Sequence, residues 1–406
     1  MIYIVDRFVE GYLHVLANVN TLKILDILCP GQPKIFIAEK SHSFLVQKQL
    51  GENKIQNLSF ECYNAFSSKR SMLVQLARII RRILSDLLFF WNLLRLARKD
   101  TNSFIFVTHI YPLSLVFLKV LKLFFPKVRI ILTVHGEIEY LFYGKSIYEK
   151  FIGKLYAFSF RIKTAGFYYL FLTNVSKQIL LRNKKLRINE ILTIILPTLT
   201  KFVPENKDIK YPQDKILISH IGSAGKRKNT NFLYEIACDF KAEVKLNKVG
   251  FSIIGPIEEN IKPFMNEYVL NFVNGQVNKS LDRNTFDLET EKIHYSIFFY
   301  GVTDFVLRSS AAFFDAINFE KPLIVLKNPF FVDVFDECGD LGYLCSDLQE
   351  MKTIIAKIIK NDLETQILYQ NFVINIRKYK TTLKLSRIAE HLEYELKNVG
   401  FKINNS

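Results

Sequence analysis

The sequence alternates short runs of β-branched residues with amphipathic helical patterns, and this alternation occurs twice along its 406 residues. In the first half, the runs that fit buried strands are residues 1–5, 34–38, 104–108, 128–134 and 168–173. A second series follows at residues 215–221, 251–254, 293–299 and 323–326. Strands that alternate with helices predict a parallel sheet flanked by helices. The sequence therefore predicts an α/β protein with two doubly wound domains, each binding ligands at the carboxyl ends of its strands.

The two series are separated by residues 197–214, which hold three prolines and mixed charge without an apolar period. Such a composition is typical of an interdomain linker. We predict a first domain over residues 1–200 and a second domain over residues 201–380. The remaining residues, 381–406, are predicted to contain a last helix, which we expect to pack back on the first domain.

The basic charge of the chain is confined to its first half. The formal net charge is +16, and residues 1–200 hold 28 Lys and Arg against 12 Asp and Glu, whereas residues 201–406 hold 27 of each. An excess of this size is typical of a protein with a polyanionic partner. No zinc finger, helix-turn-helix or RNA-binding aromatic pattern accompanies the cations, so we expect no nucleic-acid partner.

The cations of the first half are interleaved with bulky apolar residues at helical spacing. They are Arg78, Arg81, Arg82, Arg95, Arg98 and Lys99, then Lys119, Lys122, Lys127 and Arg129, and then Lys145, Lys150, Lys154, Arg161 and Lys163. Cations beside aromatic and aliphatic side chains fit an anionic membrane surface. The alternative is that the apolar residues form core and the cations its solvated face. For the third group we favour the membrane, with Lys150, Lys154 and Arg161 as contacts.

The cysteines and the apolar runs indicate the compartment. Five scattered cysteines, none at CxxC spacing, fit neither a disulfide framework nor a zinc site and favour a reducing cytosol. The first residues meet charges at Asp6 and Arg7, so we expect no signal peptide. A membrane span needs about 20 mostly apolar residues. We find no such run, and we expect a cytoplasmic protein that is not integral to the membrane.

The first candidate site is the loop Gly222-Ser223-Ala224-Gly225-Lys226-Arg227-Lys228, between a predicted strand and a predicted helix. Small residues let the backbone approach a ligand, and a helix N-terminus favours anions. Three cations in a row can neutralise a diphosphate. The pattern is neither a P-loop nor GxGxxG, and a solvated basic loop is the alternative.

The second candidate site is the start of a helix at residues 309–318. Small residues there, Ser310 and Ala311 among them, can offer backbone N–H groups to an anion. One turn later, Asp315 shares a helix face with Ala311, and its carboxylate can accept hydrogen bonds from sugar or ribose hydroxyls. A plain amphipathic helix with an exposed Asp315 is the alternative.

Together the two stretches resemble the donor half of GT-B glycosyltransferases, the class that builds bacterial surface polysaccharides. Residues 218–233 resemble the strand, basic glycine-containing loop and helix of that class. Residues 309–325 resemble its second helix, with small residues, an acid, and then a Lys-Pro-Leu-Ile strand. The resemblance implies a GT-B fold, in which two Rossmann-like domains face each other across a cleft.

The resemblance also implies a nucleotide-diphosphate sugar donor, held mainly by the second domain. Cationic Lys226, Arg227 or Lys228 would neutralise the leaving diphosphate, an interaction that strengthens in the transition state. Asp315 would bind the ribose hydroxyls, and Gly255 would lie beside the nucleobase. The donor-binding residues implied in this way are Gly222, Ser223, Lys228, Gly255, Arg308, Ser309, Ser310, Ala311 and Asp315.

The acceptor side is expected in the first domain. His135 and Glu137 follow the strand at residues 128–134, at the edge where a ligand crevice should open. The resemblance places a histidine of this loop opposite the donor sugar. A neutral imidazole can bind a sugar hydroxyl or act as a base, and the carboxylate of Glu137 is a second possible base. The first loop of the chain adds Glu10, Gly11 and His14.

The resemblance implies that the sugar passes to a lipid-linked (polyprenyl-diphosphate) saccharide in capsule, O-antigen or exopolysaccharide assembly. The protein would be peripheral at the inner face of the cytoplasmic membrane. Retaining members carry a glutamate eight residues before the acidic helix residue, where this chain has Leu307. This departure leaves open a non-catalytic homologue that docks on the membrane, and a GT-B sugar-nucleotide epimerase is a further alternative.

We expect no metal and no cofactor. The sequence has no HExxH motif and no DxD at a strand end. Cationic side chains can neutralise a diphosphate in place of a divalent ion, so we predict a metal-independent transferase.

Overall fold

The computed structural model describes residues 1–51, 55–64, 72–197, 209, 211–212, 214–272 and 278–401, with the side chains of 72–79 left out. It divides into two compact units. The first comprises residues 1–199 with residues 385–406, and the second comprises residues 200–384. Most of the predicted linker, 197–214, falls outside the described residues.

Seven described strands form the sheet of the first unit: β1 (Ile2–Asp6), β2 (Lys34–Glu39), β3 (Leu58–Tyr63), β4 (Phe104–His109), β5 (Arg129–Thr133), β6 (Phe167–Phe171) and β7 (Ile191–Thr193). All pairs are parallel, in the order β3-β2-β1-β4-β5-β6-β7. Central β4 is buried along its whole length, because helices cover both faces of a parallel sheet. The sheet extends in opposite directions from β1 and from β4, so its topological switch point lies between them.

The helices of the first unit begin at residues that suit helix starts. Pro112 occupies the first turn of one, where its missing N–H costs nothing, and Ser146 with Glu149 forms a capping box for another. The helices are α1 (Val15–Leu28), α2 (Lys40–Leu50), α3 (Met72–Ala97), α4 (Pro112–Lys122), α5 (Tyr140–Tyr143), α6 (Ile147–Arg161) and α7 (Asn174–Arg182).

In the second unit six described strands form a parallel sheet: β8 (Ile216–Ile221), β9 (Val249–Ile254), β10 (Val269–Asn271), β11 (Tyr295–Phe298), β12 (Leu323–Leu326) and β13 (Gly342–Cys345). Their order is β10-β9-β8-β11-β12-β13, so the switch point lies between β8 and β11. The helices are α8 (Asn231–Asp239), α9 (Lys241–Lys245), α10 (Arg283–Lys292), α11 (Ala311–Asn318), α12 (Pro329–Cys338), α13 (Leu348–Lys360) and α14 (Leu363–Thr382). The prediction of two doubly wound α/β halves is confirmed.

The last described helix, α15 (Leu385–Asn398), belongs to the first unit. Its apolar face joins the core around β1 and α1 through Ile388, Leu392 and Leu396. Glu395 is buried on the same helix and accepts hydrogen bonds from the backbone N–H of Thr193 (3.0 Å) and from Lys177 Nζ (3.2 Å). The second unit extends to residue 384, because α14 runs on to Thr382 before the chain returns.

Two lysines of the basic half are buried, so the prediction that they lie on a surface is wrong. Lys119 and Lys122 are 1% and 0% exposed. The Lys119 ammonium lies 4.3 Å from the centre of the Phe167 ring, and burial lowers the pKa of both lysines to about 8. Lys122 Nζ lies 2.8 to 3.0 Å from the carbonyl oxygens of Phe125, Pro126 and Ala165. An ammonium is tolerated in the interior where such acceptors replace water, and the sequence does not reveal those acceptors.

A buried ion pair joins α3 to the residue that follows β1. Arg7 and Asp86 are 2% and 1% exposed, and Arg7 Nε donates to Asp86 Oδ1 at 2.8 Å. Ser114 donates to the other carboxylate oxygen at 2.6 Å. The guanidinium also lies 4.1 Å from the centre of the Tyr63 ring. Both charges are therefore satisfied inside the protein, and neither can lose its partner without a large cost.

We predict that Asp86→Ala destabilises the first unit by about 3–5 kcal/mol, because it leaves the Arg7 guanidinium buried and unpaired. Trp91 is the single tryptophan of the chain and lies on α3, so its fluorescence during urea unfolding reports the first unit. The matched control is Glu393→Ala, which breaks the more exposed pair with Lys397 on α15 and costs about 1 kcal/mol or less. Equal effects of the two substitutions would contradict the importance of the buried pair.

Candidate functional site

In the second unit, the loops after β8 and β9 touch through their backbones. Gly222 has φ +87° and Gly255 has φ +152°, conformations that favour glycine. A Cβ on Gly255 would lie 2.3 Å from the carbonyl oxygen of Gly222, a distance that no side chain tolerates. A Cβ on Gly222 would lie 3.1 Å from Cβ of Ala312 in the first turn of α11. The two stretches singled out from the sequence therefore meet at one edge of the sheet.

Of the three consecutive cations, only Lys228 turns toward this glycine contact. Its ammonium donates to Ser223 Oγ at 3.0 Å. Burial, opposed by Glu258 and aided by nearby Arg308, lowers the pKa of Lys228 to about 8. The ammonium also lies 5.8 Å from the centre of the Phe305 ring. Such a lysine carries a positive charge that is incompletely compensated by protein groups, as an anion site requires.

Lys226 and Arg227 are exposed and diverge from Lys228, because residues 226–228 form a single 3₁₀ turn. The Lys226 ammonium lies 5.1 Å from the centre of the Phe264 ring. Its backbone N–H donates to Asn260 Oδ1 at 3.0 Å. The structure therefore separates three cations that the sequence grouped together, and the roles of Lys226 and Arg227 stay predictions.

The segment before α11 supplies a second cation beside Lys228. Arg308 Cζ lies 5.3 Å from the centre of the Phe305 ring, the ring that Lys228 also approaches. Phe305 has φ +58°, an uncommon conformation for a bulky residue, and it stacks on buried Tyr300 at 4.1 Å. Backbone strain of this kind clusters at functional sites. Arg308 and Lys228 thus converge on one aromatic platform.

The two serines at the start of α11 differ in whether their hydroxyl groups are hydrogen-bonded. Ser310 is the N-cap: its hydroxyl accepts from the backbone N–H of Phe313 at 3.2 Å and lies 2.7 Å from the hydroxyl of Tyr300. The side chain of Ser310 is therefore occupied. The hydroxyl oxygen of Ser309 is buried and has no hydrogen-bond partner within the described part of the chain. A polar atom of this kind, on the residue next to Arg308, is available to a bound anion.

Asp315 lies on α11 and is engaged by an arginine from α10. Arg283 contacts Asp315 Oδ1 through Nη2 at 3.2 Å and Asp287 Oδ1 through Nε at 2.8 Å. Burial raises the pKa of Asp315, and the arginine opposes that shift. The alternative of a plain helix with an exposed Asp315 is therefore wrong, because the side chain is 22% exposed and is paired with an arginine that lies 32 residues away in the sequence.

In the first unit, a buried network fixes the loop after β1. Asp6 Oδ1 accepts from the backbone N–H groups of Phe8 (3.1 Å) and Val9 (2.9 Å). Its Oδ2 accepts from Asn18 Nδ2 at 2.9 Å, and this amide also lies 2.8 Å from His42 Nε2. His42 Nδ1 lies 2.7 Å from the carbonyl oxygen of Gly11, the predicted acceptor-side glycine, which has φ +67°.

Three histidines lie together at the switch point between β1 and β4. His109 ends β4, His135 follows β5, and His14 precedes α1 with φ +58°. The His109 and His135 rings stack at 4.0 Å, and the His14 ring meets the His135 ring edge-on at 4.8 Å. Burial, aided by His135, lowers the pKa of His14 to about 4 and that of His109 well below its usual value. These two rings are therefore neutral at pH 7.

The predicted residues His14 and His135 are thus brought together, and Glu137 lies beside them. Glu137 Oε1 is 4.0 Å from His109 Nε2, and the carboxylate is about one-third exposed. Glu10 is partly exposed in the same loop as Gly11. A small pocket opens over this edge and is lined by Asp6, His14, Asn18, Thr108, His109 and His135, among others.

Sequence reasoning missed His109, His42 and Tyr300, whereas Asn18, one turn beyond His14, was expected to face the acceptor. His109 directly follows the predicted strand at residues 104–108, and the position of β4 beside the switch point is the signal that points to it. His42 and Tyr300 are buried, and each holds a loop residue. Their partners lie in different segments, so their contributions emerge only from the folded chain.

No family model matches the sequence, and no curated protein matches it either. Solved structures do match. The Anabaena protein HepE in complex with UDP and glucose has a TM-score of 0.64 at 12% identity, over 98% of this chain and 99% of that chain. The lipopolysaccharide outer core galactosyltransferase WaaB has a TM-score of 0.59 at 10% identity, over 98% and 99%. S. aureus MnaA with UDP has a TM-score of 0.51 at 13% identity, over 100% and 98%.

These similarities extend over whole chains and establish the fold. The protein has the GT-B fold, with doubly wound units built on parallel sheets of seven and six described strands. The fold implied by the resemblance in the sequence is confirmed. A fold of this kind supports many chemistries, so function must be argued from the sites.

Proposed function

We propose that the protein is a glycosyltransferase that moves a sugar from a UDP-sugar to a lipid-linked saccharide in bacterial surface-polysaccharide assembly. The observation that carries the proposal is the convergence of Lys228 and Arg308 on Phe305 beside the Gly222 loop, next to Ser309, whose buried hydroxyl has no partner within the described residues. This arrangement suits a diphosphate. UDP as the nucleotide is supported by HepE and MnaA, both of which were solved with UDP.

The proposed chemistry assigns the leaving group to the second unit. Lys228 and Arg308 neutralise the diphosphate without a divalent ion, and their stabilisation grows as the glycosidic bond breaks. The backbone N–H groups at the start of α11 add donors from a helix N-terminus. Asp315 binds ribose hydroxyls through Oδ2, the carboxylate oxygen that Arg283 does not contact.

The acceptor is assigned to the first unit, at the pocket over the histidine cluster. His135 Nε2 lies 2.6 Å from the carbonyl oxygen of Thr108. Because a carbonyl oxygen only accepts hydrogen bonds, Nε2 carries the proton, and Nδ1 of the neutral ring has a free lone pair. Either this nitrogen or the carboxylate of Glu137 accepts the proton of the acceptor hydroxyl. Glu10, Gly11 and His14 border the acceptor on the other side.

The direct test is release of UDP from UDP-glucose and other common UDP-sugars by the full chain, with bacterial membrane extract as the source of acceptor. We expect release that depends on the extract. A GT-B epimerase would convert the sugar without extract. Absence of any turnover, with UDP still bound, would support the non-catalytic homologue, an alternative kept open by buried, apolar Leu307.

We predict that UDP binding weakens as the pH rises through about 8. The pKa of Lys228 is lowered to about 8, so the charge that the diphosphate needs is lost above that pH, by up to about tenfold in affinity per pH unit. Lys228→Arg removes this step because arginine stays charged. Lys226→Arg is the matched control, and it should keep the wild-type profile. Parallel pH profiles for the wild type and Lys228→Arg would refute this assignment.

Association with the membrane is proposed for one face of α6. Ile147, Phe151 and Phe158 are exposed there, at 90%, 49% and 51%. The helical spacing places the predicted contacts Lys150 and Lys154 on the same face, and Arg161 follows one turn beyond Phe158. Exposed rings between exposed cations suit an anionic lipid surface.

Helix α3 offers a second surface of the same kind. Its inner face is core, but Ile80, Leu84, Leu88 and Trp91 form an exposed stripe that ends near Arg95. The inner face of this helix is therefore core, as the alternative interpretation held, and its outer face suits a membrane surface. The side chain of Arg78 lies outside the described residues, and Arg82 instead turns inward to the carbonyl oxygen of Arg7 at 2.6 Å. No helix in the described part of the chain is long and apolar enough to cross a bilayer.

We predict that Lys150, Lys154 and Arg161 changed together to Glu weaken binding to phosphatidylglycerol vesicles by roughly 100-fold or more, at about 1 kcal/mol per charge lost. UDP binding should be unchanged. The matched control makes the same charge change at Lys357, Lys360 and Lys378, three exposed lysines of the second unit. In a further variant, Ile147, Phe151 and Phe158 become Ser with the charge kept. Vesicle binding that survives both α6 variants excludes this surface.

A further inference from the structure

The three histidines at the switch point between β1 and β4 have ring nitrogen atoms that make no hydrogen bond within the described part of the chain. Each offers a ring nitrogen, and the three atoms lie within 4.8 Å of one another. The histidines come from three separate segments, which the parallel sheet brings together. Among the residues that the structure describes, no other His, Cys, Asp or Glu group has this geometry.

The hydrogen bonds decide where the protons lie. A carbonyl oxygen only accepts, so the 2.6 Å contact of His135 Nε2 with Thr108 places the proton on Nε2. In His109, Nε2 faces the Glu137 carboxylate at 4.0 Å, which favours the proton on that nitrogen. His109 is 7% exposed, and its Nδ1 has no partner within the described residues. The lone pairs of both Nδ1 atoms are therefore unused.

We propose that His14, His109 and His135 bind a divalent transition-metal ion of the Zn²⁺ class. Imidazole nitrogen suits zinc, copper and nickel, whereas calcium and magnesium prefer oxygen ligands. Three histidines with a fourth position open to the pocket form a zinc ligand set. The supporting groups are also present, because metal-binding histidines donate their second nitrogen to a carboxylate or a carbonyl. For His135 that acceptor is the carbonyl of Thr108 at 2.6 Å; for His109 the nearest carboxylate oxygen, Glu137 Oε1, lies at 4.0 Å, which is a charge contact and not a hydrogen bond.

Zinc binding draws the rings together. With Zn–N distances of about 2.0–2.1 Å in a tetrahedral site, the nitrogen atoms lie about 3.4 Å apart. His109 is held by β4 and His135 by its hydrogen bond to Thr108. The His14 side chain makes no hydrogen bond within the described part of the chain, and it lies at the end of the loop before α1. The movement therefore falls mainly on His14.

This site departs from the expectation of no metal drawn from the sequence, and it goes beyond the proposed transfer reaction, in which Lys228 and Arg308 neutralise the diphosphate without a divalent ion. It adds a constraint on the acceptor side, because a metal ion and a proton cannot share Nδ1 of His135. A metal-loaded chain must therefore use Glu137, and not His135, to accept the proton of the acceptor.

The test measures Zn²⁺ and Co²⁺ binding to the full chain by calorimetry, with Co²⁺ absorbance as a second readout of coordination geometry. The exposed thiols of Cys62 and Cys238 are alkylated first. We expect one ion per chain. His14→Ala, at the loop end, and His109→Asn, in the interior, should each lower affinity by more than about 100-fold, since loss of an outer partner alone costs about 10- to 100-fold.

The matched control is His391→Asn, which removes an exposed histidine from α15 and should leave affinity unchanged. Wild-type binding no tighter than that of His14→Ala, or a loss shared by His391→Asn, overturns the proposal. UDP release measured in the presence of a chelator reports the proposed transferase separately, so failure of the metal site and failure of the transferase are distinguishable.

Discussion

The carboxylate of Asp6 supports the first unit's site more than any other single group. It is fully buried and accepts four hydrogen bonds, from two backbone N–H groups, from Asn18 and from Thr108 at 3.2 Å. A buried carboxylate is stable only when its lone pairs are filled in this way. The next residue, Arg7, is tied to α3 through Asp86. Asp6 and Arg7 therefore fix the start of the loop that carries His14, and the position of the histidine cluster depends on these contacts.

The candidate sites of the two units differ in the charge of their buried side chains. In the second unit, Lys228 and Arg308 both approach Phe305 beside the Gly222 loop, and burial lowers the pKa of Lys228 to about 8. At the edge of the first sheet, imidazoles are kept neutral by burial and by one another. Neutral nitrogen lone pairs can accept a proton or a metal ion, and neither is possible for a charged ring. The net charge of the chain, by contrast, says little about either site.

The two parallel sheets, and the glycine-containing loops after β8 and β9, could be predicted from the sequence because both depend on local patterns. Buried parallel strands appear as continuous apolar runs, and Gly222 and Gly255 are needed wherever backbone meets backbone. Edge strand β3 was missed because its residues alternate between partly and fully exposed. Lys119 and Lys122 were misplaced, and Arg283 and His109 were overlooked, because each is defined by groups distant in the chain. Polar contacts between distant segments leave no periodic pattern in the sequence from which they could be predicted.

The assignment of α15 to the first unit has a consequence for how the protein is made. Ile388, Ala389, Leu392, Leu396 and Phe401 complete a core whose other buried members lie before residue 200. A ribosome therefore synthesises the whole second unit before the first core can close. During that interval the apolar surface of α1 and the N–H of Thr193 lack their partners from α15. The second unit, whose described residues are contiguous apart from short gaps, can fold earlier than the unit that precedes it.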